Sequence, residues 1–240
     1  MRALSRTGSH RVVPATPSVG PLDGILGIDE AGRGSVFGPL VVAGFRLAPE
    51  SLPALVELGV RDSKALTPAR RTELDGKLRG LGRAFVRTVA PSRIDARVRR
   101  RGLNALEAEV FAEIVRDARP TTAFVDACDP VAARFGHTVA RLAERPRKDV
   151  VARHHADRDL PIVAAASIVA KVARDRALAR LALATKLPVG TGYPGDPETR
   201  ACLARLLAAG GPLPKWVRSS WATVRNLKPD APARPIESFG

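Results

Sequence analysis

Two adjacent carboxylates, Asp29 and Glu30, follow the apolar run Gly24 to Ile28 and precede the turn-forming Gly32-Arg33-Gly34. A carboxylate at the mouth of a buried strand must be solvated, paired or metal-bound, because burying it alone is too costly. Its hard oxygens suit a hard divalent cation. Side chains alternate along a strand, so both acids face one site only where the strand ends or bulges, which the nearby glycines permit. The plain alternative is a solvated strand end.

Asp126 takes the same place after the apolar run Thr122 to Val125. Ligands of α/β sheets gather at the carboxyl ends of strands, so two acidic strand ends converge if those strands are neighbours. Asp157 precedes Pro161 and a long helical stretch, where it acts either as a cap and dipole partner or as a further acid of the same site. Asp129, before Pro130, has a sufficient task as a helix cap. Asp62 and Asp175 have basic neighbours and read as ion-pair or capping residues.

Other chemistries find less support. The adjacent His154 and His155 lack the i, i+4 spacing of a helical zinc pair and read as facing solvent or phosphate. No Ser/His/Asp arrangement stands out, and Cys128 and Cys202 form no ligand cluster. Gly32-Arg33-Gly34 is not followed by GxxxxGK[ST], so it is no P-loop, yet its backbone can approach a ligand closely. Tyr193, the single tyrosine, stands among glycines and prolines from Gly190 to Pro197. It serves either local packing or stacking on a base or sugar.

Short apolar or β-branched runs predict strands at Gly24 to Ile28, Leu40 to Leu47, Ala84 to Val89, Thr122 to Val125 and Asp149 to Arg153. Thr67 and Pro68 open a helix running to Leu78, and Leu103, Leu106, Val110 and Ile114 recur at helical spacing. Asp129-Pro130 opens another helix. The Ala-rich, proline-free stretch from Pro161 to about Leu183 predicts a long helix, buried at its start. Strands first, then strands alternating with helices, imply an α/β layered domain.

The chain has 240 residues, and its 39 Lys and Arg against 24 Asp and Glu leave a net charge of +15. That surplus favours polyanions such as nucleic acid or acidic lipid. Two distant cysteines exclude a disulfide framework and fit a reducing cytoplasm. The longest apolar stretch, Ile162 to Ala170, is far short of the ~20 residues that span a bilayer, so no membrane association is expected. Proline-rich ends divide the chain into a disordered basic arm over 1–22, a single domain over 23–227 and a disordered tail over 228–240.

Taken in order, these segments resemble ribonuclease HII, the type 2 ribonuclease H family, in its archaeal and eukaryotic-like branch. The resemblance rests on Ile28-Asp29-Glu30-Ala31-Gly32-Arg33-Gly34, the Gly38-Pro39-Leu40 run, Arg61-Asp62-Ser63-Lys64-Ala65-Leu66, Val125-Asp126, Ala156-Asp157, the block Ala165 to Asp175, and the loop Gly190 to Pro197. It implies a ribonuclease H-like mixed β-sheet flanked by helices, with a C-terminal helical extension. It implies an endoribonuclease that cuts the RNA strand of RNA–DNA hybrids and ribonucleotides embedded in duplex DNA, leaving 5′-phosphate and 3′-hydroxyl ends. Asp29, Glu30, Asp126 and Asp157 would be its catalytic carboxylates, holding two Mg²⁺ or Mn²⁺ ions whose charge they balance. Gly32, Arg33, Gly34 and Tyr193 would recognise ribose, and Lys64, Lys171 and Arg174 would hold phosphates.

Arg153 and His155 depart from the acid and lysine that many members carry beside the last aspartate. The chain ends Ile236-Glu237-Ser238-Phe239-Gly240 without the paired aromatics of a sliding-clamp peptide. A monomer with no protein partner is therefore expected. The alternatives are another two-metal nuclease of this fold, such as ribonuclease HIII, and a non-catalytic basic nucleic-acid-binding protein. Four acids would repel phosphate in the latter.

Overall fold

The computed structural model describes residues 24–60 and 66–227. The expected arm, the expected tail and Lys64 lie outside the described residues. Five strands form one mixed sheet in the order β3-β2-β1-β4-β5: β1 is Ile25–Ala31, β2 Leu40–Leu47, β3 Arg83–Val89, β4 Thr122–Asp126 and β5 Val150–Arg153. The strands β1, β2 and β3 pair antiparallel, whereas β4 and β5 extend the sheet in parallel from β1.

The first strand runs further than its apolar residues imply. Its pairing with β4 ends at Ile28 opposite Val125, but its pairing with β2 continues to Ala31 opposite Val41. Asp29 and Glu30 therefore lie within the strand and not past its end, and the regular register puts them on opposite faces.

Helices cover both faces. On one side α3 (Pro91–Val98), α4 (Leu103–Ala118) and α5 (Ala132–Leu142) bury Phe111, Ile114, Phe135 and Val139 against Leu26, Ile28 and Val125. On the other, α1 (Leu52–Glu57), α2 (Pro68–Leu81) and α7 (Pro161–Thr185) pack against Ala43, Phe45 and Leu47. Thr67 caps α2 by accepting from the Arg70 N–H at 3.2 Å. Asp129 bonds the Val131 N–H at 2.8 Å, but α5 itself starts one residue later.

Every residue from Pro161 to Ala170 is buried. Alanines let this segment approach the sheet, and Gly27 completes the contact, because a Cβ there would collide with the Ile162 carbonyl. A third cluster joins Val36 and Phe37 to Leu178, Val189, Leu203 and Val217. It seats the C-terminal helices α8 (Pro197–Ala208) and α9 (Ala222–Leu227) against the segment between β1 and β2. No helix among the described residues is long and apolar enough to cross a membrane.

Candidate active site

Where pairing between β1 and β4 stops, the next residues are Asp29 and Asp126, side by side on parallel strands. Asp126 lies opposite Arg153 of β5. The chain then turns through His155, at φ 58°, into the short helix α6 (Ala156–Asp159), which brings Asp157 to the same point. The Ala156 N–H donates to Asp126 Oδ1 at 3.1 Å and fixes the turn. One carboxylate oxygen from each of Asp29, Asp126 and Asp157 lies within 4.8 Å of the others.

This crowding has an electrostatic consequence. Burial, followed by the charges of Asp126 and Asp157, pushes the Asp29 pKa up to about 6, while the Ser167 side chain and the Glu30 N–H pull it down. That N–H donates to Asp29 Oδ1 at 2.7 Å. Three clustered carboxylates with hard oxygens fit a divalent cation, which relieves their mutual repulsion.

Glu30 is outside this trio. Its pKa stands well above the usual range because it is buried and faces the charges of Asp29, Glu107 and Asp126. Glu107, fully buried on α4, accepts two bonds from Arg33 Nε, at 2.9 and 3.1 Å. Arg33 Nη2 donates to Asn104 Oδ1 at 2.7 Å, and Asn104 in turn donates to Asp129 Oδ2 at 3.2 Å. The Arg33 side chain is thus clamped to α4, and Gly34 is the exposed residue of the turn.

The two glycines of that turn differ. Gly32 has φ +86°, and a Cβ there would come within 2.7 Å of Arg174 Nε and 2.9 Å of the Pro39 carbonyl. The fold itself requires glycine at this position. At Gly34 a Cβ would meet nothing within 4 Å. No contact among the described residues accounts for glycine there, which leaves the position open to a ligand.

Tyr193 is exposed beside this turn, and its hydroxyl accepts from the Gly32 N–H at 3.2 Å. The loop carrying it is fixed from two sides. Gly192 accepts from the Val36 N–H at 2.8 Å and donates to Thr199 Oγ1 at 2.9 Å. Arg174 lies under the ring, 4.4 Å from its centroid, and donates to the Thr191 carbonyl. Expected at a phosphate, Arg174 is only 4% exposed. Lys171 lies one turn earlier on α7 and is half-buried. His154 and His155 are exposed, and neither belongs to the trio.

The sequence reading did not single out Asn104, Glu107 or Arg218. Glu107 carried a usable signal: it interrupts the apolar stripe Leu103, Leu106, Val110, Phe111 and Ile114 of α4, where an acid must find a partner. Asn104 and Arg218 offered none, since their contacts are made across the fold.

Comparison with known proteins agrees with this geometry. The family model for ribonuclease HII matches residues 26–224. Ribonuclease HII of Archaeoglobus fulgidus is 43% identical over 202 residues, covering 84% of this chain and 95% of that protein. The crystal structure of ribonuclease H2 from Pyrococcus horikoshii OT3 superposes with a TM-score of 0.78 at 36% identity, over 85% of this chain and 97% of that one. The Archaeoglobus fulgidus enzyme solved in a PCNA:RNase HII complex gives a TM-score of 0.77 at 40% identity, over 82% and 95% of the two chains. With the acidic trio at the parallel strand ends and this likeness along nearly the whole described domain, the chain belongs to the ribonuclease HII family of metal-dependent ribonuclease H endonucleases.

Proposed function

We propose that this enzyme cuts the RNA strand of RNA–DNA hybrids and single ribonucleotides within duplex DNA, at a site built by Asp29, Glu30, Asp126 and Asp157. The observation that carries this reading is the trio of carboxylates that β1, β4 and α6 bring together. Asp29, Asp126 and Asp157 would hold Mg²⁺ or Mn²⁺, and Glu30, on the other face of β1 but within reach of the Asp29 and Asp126 charges, would join them from beyond the point where β1 and β4 stop pairing. Bound there, the ions supply Lewis-acid charge and an activated water for phosphodiester hydrolysis, yielding 5′-phosphate and 3′-hydroxyl ends.

The remaining groups position the substrate. The Gly32-Arg33-Gly34 backbone reads the ribose 2′-hydroxyl, which distinguishes RNA from DNA. Glu107 and Asn104 draw the Arg33 side chain away from the sugar. Tyr193 stacks on the sugar or base beside the scissile phosphate, and Arg174 supports its ring from below. Lys64 and Lys171 attract the phosphate backbone, and the net charge of +15 does so at longer range.

The reading places the enzyme in the cytoplasm as a monomer. The expectation of no protein partner is not carried forward: the Archaeoglobus fulgidus relative was solved as a PCNA complex. No observation favours ribonuclease HIII or a non-catalytic binder over this reading. Mapping the ends left by cleavage of a duplex with one ribonucleotide tests it. A 5′-phosphate and a 3′-hydroxyl are expected, and a 2′,3′-cyclic phosphate would show that the 2′-hydroxyl attacks, contrary to the proposal.

A further inference from the structure

Arg218 is the largest fully buried side chain among the described residues. It lies on the segment between α8 and α9, which runs alongside residues 36–38. Phe37 and Val217 form a β-bridge, the Arg218 N–H donates to the Val36 carbonyl at 2.8 Å, and Gly38 N–H donates to Trp216 at 2.9 Å. Asp95 of α3 holds the next turn by accepting from the N–H and hydroxyl of both Ser219 and Ser220, at 2.6 to 3.1 Å. The backbone around Arg218 is therefore fixed from two directions.

The guanidinium has an unusual set of partners. Its Nη1 donates to the Arg33 carbonyl at 2.8 Å and its Nε to the Gly38 carbonyl at 3.1 Å. It stacks on Trp221 at 5.0 Å, and Trp221 Nε1 donates to the Gly34 carbonyl at 3.3 Å. Arg218 has no salt bridge among the described residues, and its buried Nη2 has no hydrogen-bond partner there. Burial and the nearby Arg174 charge lower its pKa to about 10, against the opposing pull of Tyr193 and of the Asp95 and Glu107 carboxylates, neither of which forms a salt bridge with it, and it stays a cation at neutral pH.

A buried cation without a paired carboxylate is a poor way to fill space. An apolar side chain of similar volume avoids the desolvation and is commonly neutral or stabilising in such a place. What an apolar side chain cannot do is hold the carbonyls of Arg33 and Gly38 in fixed directions. Fixing one carbonyl also fixes the N–H of the same peptide plane, here the N–H of Gly34. Arg218 thus aims the Gly34 N–H through the peptide plane it shares with the Arg33 carbonyl, Trp221 holds the next plane at the Gly34 carbonyl, and Tyr193 holds the Gly32 N–H.

We propose that Arg218 is a positioning residue that sets specificity: it orients the Gly32-Arg33-Gly34 peptide planes so that the turn separates a ribonucleotide from a deoxyribonucleotide. This rests on the reading that the turn contacts ribose. Arg218 does not touch the reacting atoms, so its effect is exerted through the turn. The C-terminal extension thereby becomes part of substrate selection and not only a cover for the third core cluster.

The test uses the full chain carrying Asp126→Asn, so that substrate is bound and not cut. Affinities are measured for a duplex containing one ribonucleotide and for the same duplex entirely of DNA. Adding Arg218→Met should leave affinity for the all-DNA duplex within about twofold and reduce the ribonucleotide preference about tenfold, the effect of one charge-assisted hydrogen bond. Arg218→Lys, which keeps the charge but not the forked geometry, should restore only part of the preference. Cooperative thermal melting establishes that each variant folds, and if the Met variant does not, the Lys variant decides. A purely structural role would weaken both affinities equally. A folded variant with an unchanged preference overturns the role of Arg218. If the protein with Arg218 intact shows no ribonucleotide preference at all, the ribose reading of the turn falls, and this proposal with it.

Discussion

The Tyr193 hydroxyl accepts a hydrogen bond from the Gly32 N–H across 161 residues of sequence, at 3.2 Å. This contact joins the loop before α8 to the turn after β1, beside the acidic trio. It gives the tyrosine two separable functions, a ring that can stack and an oxygen that holds the turn. Tyr193→Phe should therefore lower kcat/KM at a single embedded ribonucleotide by about threefold to tenfold, as expected for losing one neutral hydrogen bond. Tyr193→Ala should lose more, because the ring goes as well. Equal activity of both variants with the parent enzyme would remove Tyr193 from the site.

The two turn glycines should separate stability from function. Gly34→Val should melt within about 0.5 kcal/mol of the parent, as surface substitutions away from special contacts do, because a Cβ there meets nothing within 4 Å. Its cleavage at a single ribonucleotide should fall sharply. Gly32→Ala should destabilise the fold itself by about 1–3 kcal/mol, from a left-handed φ and a collision with Pro39 and Arg174. Thermal melts run beside cleavage assays distinguish the two. An active Gly34→Val enzyme would mean that nothing approaches that position.

Glu107 makes a prediction about stability. Removing one partner of a fully buried ion pair costs about 3–5 kcal/mol. Arg33 keeps 38% of its side-chain surface exposed, so Glu107→Ala should cost less, about 2 kcal/mol, in chemical denaturation. Glu107→Gln, which retains a hydrogen-bond acceptor for Arg33, should fall between that variant and the parent.

These residues also mark where the sequence was readable. Asp29, Asp126 and Asp157 could be singled out because the first two follow short apolar runs and the third precedes a long helical stretch, features that local pattern reveals. The length of β1 could not, because its last residues are held by β2 and not by their own apolar character. Asn104 and Glu107 meet Arg33 across 71 and 74 residues, and Arg218 meets it across 185. The partners in contacts of that range cannot be read from local pattern, although the acid at 107 in an apolar stripe shows that one is needed. Arg174 was expected at a phosphate, and the Ala-rich helix around it gave no sign that the Tyr193 loop folds over it.

The metal-free protein should reveal the strain of its clustered acids. Native Asp29 keeps its proton up to about pH 6, against a reference value of 3.8. Between those values the native state binds more protons than the unfolded chain, so metal-free stability should decrease as pH rises from about 4 to 6. A divalent ion bound only by the folded state should raise the melting temperature with concentration. Asp126→Asn should melt higher than the parent without metal and gain less from adding it. A metal-free stability that rises through that window would contradict the crowding of the trio.

The most direct measurement of the account is cleavage of one duplex containing a single ribonucleotide, beside its all-DNA counterpart, with and without a chelator. With Mg²⁺ or Mn²⁺ the enzyme should cut the first at the ribonucleotide and leave the second intact. Chelation should stop it, and Asp126→Asn should abolish it in a protein that still folds. Cleavage that survives thorough chelation, or an all-DNA duplex cut as fast as the ribonucleotide-containing one, would contradict a metal-dependent site that reads ribose.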